Sequence, residues 1–204
     1  TIVQKSKKED FYLVFLSDGE RGRYSIGEYD RKIVRSRYKK AEKAAKILGI
    51  KKIFNLNFID QRLDAISSLD ITQKLEEIIK KVKPSIIYTH FSKDLNLDHR
   101  ICFDSTVVAS RPYRKSYVKK ILTFEVPSSS GVYSSNIFTP NYYVQISKKN
   151  YNKKIKAIKC YGKEVDEGDQ PRSIKKISSL MTYRGSNINS LYAEAFQIIF
   201  QLEN

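Results

Sequence analysis

The sequence predicts an α/β fold: a mostly parallel sheet with helices on both faces, in one domain spanning residues 1–204. Three observations predict it. Short apolar runs recur, each stopped by a polar loop. Between them lie longer stretches with apolar residues at three- and four-residue steps, the alternation that builds βαβ units. No repeat, low-complexity tract or linker divides the chain, and 204 residues at 41% hydrophobic can bury a sizeable core.

Phe11 to Leu16 is a continuous apolar run stopped by Ser17-Asp18-Gly19, which reads as a buried strand. From Asp30 to Leu48 the pattern is helical, with Ile33, Val34, Tyr38, Ala41, Ala44, Ala45 and Leu48 on one side, and Gly49 closes it. Ile53–Leu56 reads as a second strand. A helix from about Ile71 to Val82 ends before Pro84. Ser85–Tyr88 is a third strand, followed by a polar loop from His90 to Asp98 and a helix from Ile101 to Ala109. Ile121–Phe124 and Tyr142–Gln145 read as later strands, separated by the loop Pro127–Gly131. The end reads as helical over 153–161, 174–183 and 191–202.

Ligands of such sheets bind outside the carboxyl ends of the strands. The loops after the first three strands hold Asp18, then Asp60, Arg62 and Asp64, then His90, Asp94, Asp98 and His99. These residues are expected along one sheet edge, where a ligand should sit.

Charge is the loudest feature of the composition, with 38 Lys and Arg against 22 Asp and Glu. Lysine pairs such as Lys39-Lys40, Lys80-Lys81 and Lys153-Lys154 are scattered over the whole length and flank predicted elements, as solvated surface does. That spread argues against a dedicated nucleic-acid groove, which concentrates charge and interleaves exposed aromatics. The field would still attract an anionic substrate. Cys102 and Cys160 form no CxxC pair, so they read as reduced thiols of a cytoplasmic protein rather than a disulfide framework or thiolate zinc site. No apolar run approaches the roughly 18 residues of a membrane span, and no signal peptide opens the chain.

The two histidines, His90 and His99, fall in one segment, His90-Phe91-Ser92-Lys93-Asp94-Leu95-Asn96-Leu97-Asp98-His99-Arg100. Histidine is a frequent metal ligand and proton shuttle, and a nearby Asp can be co-ligand, orienter or base. The plainer alternative is a surface loop whose Asp98 caps the next helix, with His90 packing at a strand end. A catalytic zinc takes about three protein ligands. His99 can be one, but no pair among Asp18, Asp60, His90, Asp94 and Asp98 has a recognised metal-ligand spacing, and iron or manganese would suit the same donors. No GxSxG surrounds Ser128-Ser129-Ser130-Gly131, which reads as a substrate-contacting loop, and neither GxGxxG nor a P-loop occurs.

The chain resembles the LmbE-like (PIG-L) zinc-dependent N-acetylglucosaminyl deacetylases. The resemblance is carried by Leu-Ser-Asp-Gly at 16–19, Lys-Ile-Leu-Gly-Ile at 46–50, Asp-Gln-Arg-Leu-Asp at 60–64 and, above all, Tyr-Thr-His-Phe-Ser-Lys-Asp-Leu-Asn-Leu-Asp-His-Arg at 88–100. Phe-Glu-Val-Pro-Ser-Ser at 124–129, Pro-Arg-Ser at 171–173, Tyr-Arg-Gly-Ser at 183–186 and Tyr-Ala-Glu-Ala-Phe at 192–196 follow in the family's order. It implies a Rossmann-like fold and hydrolysis of the N-acetyl group of a GlcNAc-type sugar by zinc-activated water. His99 matches the family's third zinc ligand. The Ala-His-Pro-Asp-Asp-Glu motif, which brings the other two ligands and the base, is absent, and Thr1-Ile2 resembles what normally follows it. The first strand is therefore expected to precede residue 1, and this chain by itself is expected to bind Zn2+ weakly and to be nearly inactive. Arg37 is followed by Lys40 where many relatives carry a carboxylate, which bears on substrate contacts rather than on the reaction.

On the resemblance, Asp98 orients the metal site or the base, and Asn96 or His90 donates to the carbonyl oxygen as charge develops. Arg62, Asp94 and Arg184 are the substrate-binding candidates, the arginines through sugar hydroxyls or a phosphate. Arg62 could instead pair with Asp60 or Asp64, and Arg184 could serve a helix end. The substrate is expected to be a small, lipid-linked or nucleotide-linked amino sugar, and a homo-oligomer is compatible with the sequence. The rival from another class is a non-catalytic carbohydrate- or nucleotide-sugar-binding protein; a basic nucleic-acid-binding domain comes third.

Overall fold

The computed structural model describes residues 1–23, 25, 30–112, 117–162, 165 and 168–203. Its regular elements are α1 (Ile2–Lys5), β1 (Phe11–Ser17), α2 (Arg31–Leu48), β2 (Ile50–Phe58), α3 (Ser68–Val82), β3 (Ile86–His90), α4 (Leu97–Ala109), β4 (Lys120–Phe124), β5 (Tyr142–Gln145), α5 (Lys148–Lys159), α6 (Ile174–Ser186) and β6 (Ala193–Gln201). They fall into two compact units, Thr1–Asp60 with Tyr143–Glu194 and Gln61–Tyr142 with Ala195–Asn204.

In the first unit β1 and β2 pair in parallel, with Val14 opposite Phe54. The helix between them starts where Asp30 accepts from the Lys32 N–H at 2.7 Å. It stops at Gly49, whose φ of 81° lies in the left-handed region that a helix end needs and glycine adopts freely. Ala41, Ala44 and Ala45 are its buried residues and Ala157 is that of α5, which packs beside it. Methyl groups on both sides let the two helices approach closely and leave their long polar side chains outside.

In the second unit β3 and β4 are parallel, from Ile86 opposite Lys120 to His90 opposite Phe124. β6 returns antiparallel to β4, with Thr123 opposite Gln197. The sheet order is β3-β4-β6-β5, and β5 and β6 each straddle the division between the units. Leu122 and Thr123 of β4 have no exposed surface, and Leu63, Ile71, Leu75 and Phe91 are buried in the same unit.

The expected α/β architecture is present, with two changes of detail. Residues 191–202 do not form a helix: Ala193–Gln201 is a strand. Ala193, Glu194 and Ala195 favour helix, but Ile198, Ile199 and Phe200 suit a pleated surface; Phe196 to Gln201 pair with β4, and Ala193, Ala195 and Phe196 are buried. Nor is 90–98 all loop. β3 runs to His90 and α4 starts at Leu97, so His90 sits on a strand and Asp98 and His99 on the first helical turn.

Gly185 lies inside α6 against the chain that follows it. A Cβ there would stand 2.4 Å from the Ser190 carbonyl oxygen and 3.0 Å from the Leu191 carbonyl, both backbone. Gly185→Ala is therefore expected to destabilise the protein by about 3 kcal/mol despite alanine's better helix propensity, measured by denaturant unfolding.

Candidate functional site at the head of helix α4

The segment from His90 to Arg100 folds around one carboxylate. Asp94 has 0% exposure. Its Oδ1 accepts from the Asn96 N–H at 2.9 Å and lies 3.0 Å from His99 Nδ1, while its Oδ2 accepts from the Ser130 hydroxyl. Burial alone would raise the Asp94 carboxyl, but the hydrogen bonds from His99, Ser130 and the Asn96 N–H outweigh it and hold the group well below the usual carboxylate range. An ionised carboxylate only accepts, so His99 Nδ1 donates to it. In the neutral ring the lone pair is then on the other nitrogen, Nε2, and the side chain keeps 22% exposure.

The next two acidic or amide groups are committed to local structure. Asn96 caps α4, its Oδ1 accepting from the Asp98 N–H at 2.9 Å, which leaves its Nδ2 as the donor end. Asp98 is buried and accepts from the Gln61 N–H at 2.8 Å and the Leu63 N–H at 3.1 Å. It thus ties the turn 61–63 to the helix, a favourable place for a negative charge at a helix N-terminus. Arg62 lies in that tied turn and forms no ion pair among the described residues, so the alternative of a pairing with Asp60 or Asp64 is not seen there.

His90 forms the wall of the site. Its ring stacks on His99 with centroids 4.1 Å apart and packs against Phe124 at 4.9 Å. Its Nδ1 is buried with no hydrogen-bond partner among the described residues. Burial, with the charge of His99 adding and that of Asp94 opposing, pushes the imidazole down to about 3. The ring is uncharged at neutral pH, which suits stacking against another imidazole.

The fold thus brings together His90, Asp94, Asn96, Asp98 and His99, with Arg62 in the turn that Asp98 holds. Arg184 belongs to the other unit, in the last turn of α6, with its guanidinium 5.2 Å from the Tyr183 ring centroid. Asp18 and Asp60 also lie in that unit: Asp18 accepts from the N–H groups of Glu20 and Arg21 and pairs with the Arg21 side chain, and Asp60 accepts from the Ser17 hydroxyl at 3.1 Å. Two contributors escaped the sequence reading. Ser130 was legible as part of a polar loop but not as a partner of Asp94. Arg100 donates to the carbonyl oxygens of Asp94 and Leu95 at 2.7 and 3.0 Å, a loop lock that no spacing rule signals.

A complete catalytic zinc site needs about three protein ligands. Among the described residues no group of three or more His, Cys, Asp or Glu is placed to hold a metal ion. Asp94 and Asp98 are spent on hydrogen bonds, and His99 offers one nitrogen. The described residues therefore do not fit a zinc cage; they fit one ligand together with the carboxylate that orients it.

Two predictions follow from these bonds. Asp98→Ala leaves two backbone N–H groups at a buried turn without their acceptor and should cost about 3 kcal/mol in denaturant unfolding. His90 and Asp94 both have folded values below their unfolded ones, so each contributes stability at higher pH that is lost on acidification. For His90 that loss runs from its ordinary 6.5 down toward about 3. The unfolding free energy should fall across this window, and His90→Phe, which keeps a stacking ring, should flatten the upper part of the curve.

No curated protein matches the chain. The fold is similar to N,N'-diacetylchitobiose deacetylase from Pyrococcus horikoshii, with a TM-score of 0.76 at 21% identity over 97% of this chain and 76% of that one. It is similar to GalB, the 4-carboxy-2-hydroxymuconate hydratase from Pseudomonas putida, with a TM-score of 0.76 at 22% identity over 100% of this chain and 89% of that one. The zinc-inhibited form of teicoplanin deacetylase Orf2 aligns with a TM-score of 0.75 at 12% identity, over 100% and 92% of the two chains. Fold alone therefore spans a hydratase as well as deacetylases. The profile described as PIG-L, GlcNAc-PI de-N-acetylase, matches residues 1–110, the stretch that holds the whole β3–α4 segment, and the chain belongs to that family.

Proposed function

We propose that the protein acts in hydrolysis of the N-acetyl group of a GlcNAc-type amino sugar, free or carried on a lipid or nucleotide. The observation that carries the reading is the Asp94–His99 pair, which fixes one imidazole and leaves its Nε2 lone pair uncommitted. Membership of the de-N-acetylase family supports it from a separate direction. In this reading His99 Nε2 faces the reacting centre, and the Asn96 Nδ2 donates to the acetyl carbonyl oxygen as negative charge builds there. Arg62, held in place through its neighbours' bonds to Asp98, meets a sugar hydroxyl or a phosphate. Arg184 is a second substrate contact. His90 keeps the ring of His99 in place by stacking, and Asp94 serves the site as an orienter rather than as a direct contact.

Hydrolysis by a family member is expected to draw on a divalent metal, and the described residues contribute a single donor to it. This chain should therefore hold zinc at about the millimolar level, and acetate release should be low and depend on added metal. A purified chain carrying one tightly bound zinc would contradict the affinity claim. The functional test is acetate release from N-acetylglucosamine, its nucleotide diphosphate conjugate and its phosphoinositide conjugate with zinc in excess. Release that falls about 100-fold in His99→Ala supports the reading. Hydration of an unsaturated dicarboxylate without acetate release would move the chain to the hydratase class.

A second reading is favoured by the same single donor: binding of an amino sugar without turnover. It predicts saturable sugar binding that zinc does not change, with no acetate formed at any metal concentration.

A further inference from the structure

The fold places three of the lysine pairs, Lys39-Lys40, Lys148-Lys149 and Lys153-Lys154, on two neighbouring helices. α2 and α5 pack side by side in the first unit, and the alanines Ala41, Ala44, Ala45 and Ala157 are their buried residues. Together they carry fourteen Lys and Arg and one acid, Glu42, in thirty residues. The rest of the chain is close to balance, with twenty-four basic residues against twenty-one acidic ones. Nearly all of the net charge of +16 thus resides on this helix pair.

Eleven of the fourteen are exposed. The three that are not have internal partners: Arg37 pairs with Glu20, Lys40 donates to the Tyr161 carbonyl at 3.3 Å, and Lys154 pairs with Glu194. Of the exposed ones, Lys148 donates to the Tyr192 hydroxyl, and the other ten make no ion pair among the described residues. They are also in line. On α2, Lys32, Arg35, Lys39, Lys43 and Lys46 recur at steps of three or four, and on α5 Lys149, Lys153 and Lys156 do the same. Such spacing stacks like charges on one stripe of each helix, which destabilises a helix in water. The stripe on α2 runs for about four turns, about 20 Å, and that on α5 for about two, and neighbouring cations lie within a Debye length of one another. A polyanionic surface is the partner that turns this repulsion into attraction.

We propose that the α2–α5 face docks on an anionic lipid bilayer, as a peripheral, electrostatic association. Two observations favour a bilayer over nucleic acid. The aromatic residues of the two helices, Tyr38 and Tyr151, are half-buried, and Tyr151 is stacked on Tyr192 at 4.1 Å, so no ring is offered for base stacking. Nine of the eleven exposed cations are lysines, compact charges suited to diffuse attraction by headgroups rather than to bidentate reading of phosphate and base edges. No described helix is long and apolar enough to cross a membrane, so the association rests on charge at the surface.

The test is co-sedimentation of the full chain with phosphatidylcholine vesicles, with and without an equal part of phosphatidylglycerol. Binding is expected to the mixed vesicles alone at ~0.1 M salt and to disappear at ~0.5 M. Substituting Lys39→Gln, Lys43→Gln, Lys149→Gln and Lys153→Gln together should weaken it by about tenfold or more, whereas Lys80→Gln with Lys81→Gln on α3 should leave it within about twofold. The pair Lys39→Gln and Lys43→Gln alone should give an intermediate loss, which keeps the test open if the fourfold variant folds poorly. Equal binding to both vesicle types, equal loss in the α3 variant, or displacement from mixed vesicles by a stoichiometric amount of duplex DNA would overturn the proposal.

Discussion

A carboxylate without exposed surface, Asp94, is the constraint on which the head of α4 depends. A buried charge is tolerated when its lone pairs are met by donors. Here Asn96 N–H, His99 Nδ1 and the Ser130 hydroxyl meet them from the loop, the helix and a second loop. One side chain thus fixes three segments relative to one another. The Asn96 cap starts the helix two residues later, the Asp98 carboxylate then takes the N–H groups of Gln61 and Leu63, and Arg100 closes the loop on its own carbonyls. The functional consequence is that His99 has its ring direction set before any ligand arrives, the kind of preorganisation that separates a site from a surface histidine.

Much of this was legible in the sequence, and the limits of legibility are physical. Strands β1 and β3 and helix α2 follow from apolar runs, helical periodicity and Gly49, all local signals. The pairing of His99 with a carboxylate could be suspected from their closeness in sequence, but which Asp would serve it could not. Asp98, adjacent to His99, points its oxygens at another turn, and Asp94, five residues back, takes the ring. Spacing alone does not separate these outcomes because both lie within reach of a loop that bends into a helix. Ser130 is set by tertiary folding over a long sequence separation. The strand Ala193–Gln201 hides behind first residues that favour helix, and β4, which pairs with its later part from Phe196 to Gln201, lies some seventy residues earlier. The charge pattern was misleading in the opposite sense: dispersed along the sequence, it is concentrated once α2 and α5 lie side by side.

The head of α4 carries the uncommitted imidazole nitrogen and the amide donor of Asn96, beside two acids, Asp94 and Asp98, that are held by hydrogen bonds. The basic helices belong to the other unit; Arg37, Lys40, Lys148 and Lys154 have internal partners, and the ten remaining cations are exposed without an ion pair among the described residues. Similar folds support both deacetylation and hydration, and what distinguishes the outcomes must lie in such side chains rather than in the sheet.

The central claim, that Asp94 holds His99 with its proton on Nδ1 and its lone pair on Nε2, is tested most directly by long-range 1H–15N correlation spectra of the imidazole nitrogens near neutral pH. The account predicts a single Nδ1–H tautomer for His99 in the wild-type chain, giving way to a tautomeric mixture when Asp94 is replaced by Ala. A proton on Nε2 in the wild type, or a mixture that the Asp94 substitution leaves unchanged, would contradict it.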